Sequence, residues 1–150
     1  MSPDPDIRFF RFPRNVDRQP VEHFVTELRR RVTRGRAFAC LLTTDAELQR
    51  LNRTFRRKNY PTDVLSFPAV ATGQTDGYLG DLAISWQRAR EQAREFGHET
   101  GTEIKVLMLH GVLHLLGHDH ETDNGQMSRA ETRWRRAFGL PAGLIERVSA

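Results

Sequence analysis

Apolar positions along the chain switch between two periods. Ile7 to Phe12 is rich in β-formers and reads as a strand. Pro20 sits at a first helical position, and Val21, Phe24, Val25, Leu28 and Val32 follow at helical spacing up to Gly35. Ala37 to Leu42 is an apolar run of strand length. Thr44 or Asp45 then caps a helix with Leu48, Leu51 and Phe55 on one face. Val64 to Phe67, closed by Pro68, and Tyr78 to Ile84 read as two further strands, separated by an exposed Thr, Gly, Gln and Asp stretch from Ala69 to Gly77. Ser85 is placed to cap a helix ending at Gly97, and Thr100 with Glu103 has the spacing of a capping box for a central helix running to about Leu116. A last helix covers roughly Gly125 to Phe138. Four strands and about five helices in this order predict an α+β or α/β layer fold around a small mixed sheet, with residues 1–150 forming one domain.

Composition fits that reading. The chain has 150 residues, 38% of them apolar, enough for one ordinary core. No apolar run reaches the length of a membrane span, and the polar start from Met1 to Asp6 does not read as a signal peptide. Cys40 is the only cysteine, which excludes an internal disulfide and suits a reducing, cytoplasmic setting. Charge adds a bias: of 23 basic residues against 19 acidic ones, 21 are Arg, whose planar fork of donors matches phosphate. Clusters at Arg29–Arg31, Arg34–Arg36, Arg50–Arg57 and Arg133–Arg136 could line a phosphate-binding surface. Read singly, each is a solvated helix face paired with Glu22, Glu27, Glu91, Glu95 or Glu131. The net excess points to an anionic partner.

The candidate chemistry lies between His110 and His120. His110 and His114 are four apart, so on a helix their rings project from one face, one turn apart. Gly117 permits the turn that could bring His120 back beneath them. Three neutral imidazoles with an open fourth position describe a catalytic zinc site with one ion per chain. Four His within eleven residues, in the company of Leu107, Leu109, Leu113, Leu115 and Leu116, is costly to bury unless something binds them. Asp119 is a candidate partner behind the ligands, and His118 reads as exposed beyond the helix end. The spacing is that of the metzincin proteases, H-E-x-x-H-x-x-G-x-x-H, but Gly111 holds the position of their Glu general base. Peptide hydrolysis therefore lacks its proton acceptor.

The run from His110 to His120 resembles the signature of the YbeY family of bacterial endoribonucleases and rRNA maturation factors. Leu51-Asn52 with Phe55-Arg56, Pro61 to Pro68, and Gly80 to Ser85 match it in the same order, so the resemblance spans about Asp45 to Met127. His118 departs from it, since the family usually has Tyr there. The resemblance implies a metal-dependent RNA hydrolase in small-subunit rRNA processing and ribosome quality control, with the small ribosomal subunit or assembly proteins as candidate partners. It also implies His110, His114 and His120 as zinc ligands and Arg56 as a residue needed for activity. Single-stranded RNA is the expected substrate, because a cleft beside one short helix can admit an unstacked strand. Asp63 and Asp81 also match family positions and read as turn or cap residues. Two other classes stay open on the residues alone. One is a metallohydrolase of a small molecule or peptide; the other is a non-catalytic assembly factor with a structural zinc.

Overall fold

The structure is a computed structural model that describes residues 6–56, 62–69, 77–118 and 122–142. Its elements are β1 (Ile7–Phe9), α1 (Gln19–Arg31), β2 (Phe38–Thr43), α2 (Asp45–Arg56), β3 (Val64–Pro68), β4 (Gly80–Ser85), α3 (Trp86–Phe96), α4 (Thr100–Leu115) and α5 (Gln126–Ala137). The four strands form one mixed sheet in the order β1-β2-β4-β3. β1, β2 and β4 run parallel, while β3 lies antiparallel to β4 at one edge. The fold is α+β, as the alternation of elements predicts.

Side-chain alternation divides the sheet into two faces. Phe38, Cys40 and Leu42 of β2, with Leu82 and Ile84 of β4, enter the main core, which also draws on α1, α3, α4 and α5. Leu48 of α2 packs with Leu65 and Ala83 in a smaller cluster, flanked by Leu51 and Phe67. α2 therefore covers the opposite face from α4. α4 is buried almost all round, from Ile104 to Leu115, which explains why its sequence is a nearly continuous apolar run rather than a stripe. Among the described residues no helix is long and apolar enough to cross a membrane.

Most helix ends fall where the local chemistry puts them. Ser85 Oγ accepts from Arg88 N at 3.1 Å, and Gly97 closes α3 with φ +75°. Thr44, not Asp45, caps α2, its Oγ1 accepting from Glu47 N at 3.3 Å. Three expectations need correction. The Thr100–Glu103 capping box does not form: Glu99 stands at the N-cap without a side-chain bond. Glu103 is instead fully buried, its Oε1 lying 3.1 Å from His98 Nε2. β1 stops at Phe9 rather than Phe12, because Arg11 takes a left-handed φ of +52° and turns Phe12 into the core. Pro68 belongs to β3, opposite Gly80, a position tolerated because β3 is an edge strand. The 69–77 loop expectation lies mostly outside the described residues.

Candidate metal centre

The C-terminal half of α4 carries the candidate ligands, and its position follows from Gly111. The glycine backs against the sheet, where Ser66 Oγ of β3 donates to its carbonyl at 3.3 Å. A Cβ there would lie 2.7 Å from Leu82 Cδ2 and 3.2 Å from Val64 Cγ2. The absent side chain thus lets a helix lie directly on two strands. The position that holds a catalytic Glu in the metzincin pattern faces packed sheet, not an open cleft.

His110 and His114 project from α4 as the spacing predicts. Their rings meet edge to face with centroids 4.8 Å apart, and the two Nε2 atoms are separated by 3.2 Å. His110 is buried and His114 half-buried. Each ring's other nitrogen has its own acceptor. His110 Nδ1 lies 2.6 Å from Glu131 Oε2 of α5. His114 Nδ1 lies 3.0 Å from the carbonyl oxygen of His118. A carbonyl can only accept, and so can a carboxylate, so both Nδ1 atoms carry the proton. In neutral rings the two Nε2 lone pairs then face one another, an arrangement that repels unless a proton or a metal cation lies between them. Two nitrogens about 2.0–2.1 Å from one tetrahedral zinc lie roughly 3.3 Å apart, close to the 3.2 Å seen here. The pair fits two ligands of one such ion.

The helix end that supplies the His118 carbonyl is a Schellman turn. His118 N donates to Leu113 O at 3.1 Å and Gly117 N to His114 O at 3.0 Å, with Gly117 at φ +98°. His118 is half-buried rather than exposed, and its main chain, not its distinctive ring, steadies His114. His120 and Asp119, the expected third ligand and its neighbour, lie outside the described residues. Among the described residues no group of three or more metal-ligating side chains forms; His110 and His114 stand as a pair.

Arg56 ends α2; its side chain lies outside the described residues. The segment it leads into returns to β3, the edge strand beneath which Gly111 packs. Asp63 is structural, its carboxylate accepting from Gln92 Nε2 at 2.8 Å and its carbonyl from Ser85 N at 3.0 Å. Asp81 lies exposed on β4 and accepts from the Tyr78 hydroxyl. Desolvation first, and this bond second, push the Tyr78 phenol above its usual range. Asp81 also borders a cavity of about 350 Å³ walled by Leu51, Phe55 and Phe67 on the α2 side of the sheet, away from the imidazoles.

Glu131 is the residue that the sequence misplaced. Read as a surface partner of neighbouring arginines, it is buried at 1% exposure against His110. Its signal was the helical face Met127–Glu131–Trp134, where a carboxylate stands between two core positions. The arginine clusters, by contrast, behave in part as solvated faces. Arg30 pairs with Glu27 at 2.9 Å and Arg50 with Glu47 at 2.6 Å. Those hydrogen bonds hold both carboxyls below their ordinary range.

The model of the family described as Endoribonuclease YbeY matches residues 13–139. The chain is 57% identical over 144 residues to an endoribonuclease YbeY of Solibacter usitatus, covering 96% of this chain and 95% of the relative. It is 46% identical over 134 residues to that of Koribacter versatilis, covering 89% and 86%. A protein of Thermotoga maritima solved in solution superposes with a TM-score of 0.58 at 25% identity, over 89% of each chain. With the family's model spanning all but the two ends, and relatives matched over nearly their whole length, this chain belongs to the YbeY family of endoribonucleases.

Proposed function

We propose that residues 1–150 form one catalytic domain that cleaves single-stranded RNA with the help of one zinc ion held by His110, His114 and His120. Its setting is the cytoplasm, and its substrate is small-subunit ribosomal RNA during processing and quality control of the ribosome. The activity for which the relatives are named supports this reading. The observation that carries the metal is the pair of Nε2 atoms 3.2 Å apart, each on a ring whose Nδ1 already has an acceptor.

When bound, the ion supplies a Lewis acid that polarises a phosphoryl oxygen. The chain's own contribution is largely placement. Arg56, whose planar fork can hold two phosphate oxygens, orients the reacting phosphate and offsets charge growing on it. The α4 helix supplies no carboxylate base at position 111, and its two imidazoles are committed as ligands. The same absence at 111 weighs against a peptidase, because the position faces Leu82 and Val64.

Single-strand preference is tested by single-turnover cleavage of a short segment of small-subunit rRNA, presented alone and annealed to its complement. The free strand is expected to be cut many times faster. Equal rates on both, or no cleavage of either, would contradict the proposal.

A further inference from the structure

We propose that Glu131 is the positioning residue of this centre: its carboxylate fixes the His110 tautomer and couples metal binding to the seating of α5. The inference rests on the reading of His110 and His114 as ligands.

α5 is a polar helix whose fully buried residues are Met127 and Glu131, with Ala130, Trp134 and Phe138 packed beside the core. A carboxylate in the middle of such an interface is unfavourable unless a strong partner meets it, and a Leu or Met there would bury more apolar surface at no such cost. Its partner is the His110 Nδ1–H at 2.6 Å, a charge-assisted bond between side chains that are 9% and 1% exposed. The two imidazoles are therefore held by unlike groups. His114 is steadied by a carbonyl four residues on, within its own helix end. His110 depends on a full negative charge delivered from a separate helix, 21 residues away.

That difference has two consequences. The proton is kept on His110 Nδ1, so Nε2 is the nitrogen left to face His114, and the carboxylate fixes the orientation of the ring. A cation at Nε2 in turn strengthens the Nδ1–H···carboxylate bond. Metal binding and α5 docking must then favour one another by the same factor, since linkage is reciprocal. A carboxylate that merely satisfied a core histidine would show neither the dependence on His110 nor the effect of metal on α5.

The test measures zinc affinity of the full chain by competition with a chromophoric chelator. It compares wild type with Glu131→Gln, His110→Ala, the double variant and Arg133→Ala, an exposed change on the same helix. Glu131→Gln keeps the shape and removes the charge, and is expected to weaken zinc about 10- to 100-fold with an unchanged far-ultraviolet circular dichroism spectrum. Arg133→Ala should bind as wild type, and the double variant no more weakly than His110→Ala alone. Amide exchange across residues 126–137 should slow on zinc addition in wild type and respond less in Glu131→Gln. Wild-type affinity in Glu131→Gln alongside loss in His110→Ala would overturn the positioning role while leaving the metal centre standing. Zinc retained at full affinity by His110→Ala would overturn the metal centre itself. Should Glu131→Gln fail to fold, nitrogen-15 shifts of zinc-loaded wild type decide the matter. A protonated Nδ1 with a ligating Nε2 on His110 supports the role, and the reverse tautomer refutes it.

Discussion

A Cβ built on Gly111 would sit 2.7 Å from one Leu82 methyl and 3.2 Å from a Val64 methyl, closer than packed carbons tolerate. Gly111→Ala should therefore destabilise the fold by about 1–3 kcal/mol, the usual cost of overpacking a tight core. Denaturant unfolding of the two proteins checks this, and an unchanged midpoint would show that α4 can lift off the sheet freely. A Glu there would unseat the helix before it could serve as a base, so the metzincin comparison ends at packing as well as at chemistry. Arg56 stands at the same scale. Arg56→Ala is expected to slow single-turnover RNA cleavage about a hundredfold or more while leaving zinc content unchanged. Arg53→Ala, on the same helix, should weaken binding only modestly. Equal small effects would reduce Arg56 to one member of a basic surface. The His110–His114 pair was legible because four residues is one helical turn. Glu131 was not, because its partner is 21 residues away and Arg129 and Arg133 on either side made it resemble a surface charge.

Element boundaries were legible where one residue both starts a helix and satisfies its end. Ser85 does more than cap α3: it accepts from Arg88 N at 3.1 Å and donates to Asp45 Oδ1 at 2.6 Å, joining the starts of α3 and α2. Ser85→Ala should cost about 1–2 kcal/mol, the upper part of the range for a lost N-cap. Thr100→Ala should stay within about 0.5 kcal/mol, because Thr100 is the first residue of α4 and not its cap. Thermal or denaturant unfolding separates the two, and a larger effect at Thr100 would restore the capping box. The box was misread because its spacing is local, whereas the competing partner of Glu103 is a His98 ring placed by the α3–α4 turn. The sheet order could not be read from strands alone. β3 and β4 are consecutive and pair antiparallel, while β4 also inserts beside β2 in parallel, with Leu82 and Ile84 in the main core, a long-range pairing that no local signal announces.

On the scale of the whole molecule, the sheet separates two surfaces. α4 and α5 hold the imidazoles on one side, and α2 with its exposed Phe55 lies on the other. β3 is the edge between them, and α2 ends at the segment that leads into it. The excess of arginine was visible in composition, whereas the division of labour among clusters was not, since ion pairs such as Arg30–Glu27 and Arg50–Glu47 take some of them out of play. The most direct measurement is single-turnover cleavage of single-stranded RNA by protein stripped with a chelator and then given back one equivalent of zinc, beside a His114→Ala variant purified identically. Wild type should fall silent when stripped and recover with zinc, and the variant should remain silent throughout. Equal cleavage by the stripped protein, or by the His114→Ala variant, would contradict a metal-dependent reaction at these histidines.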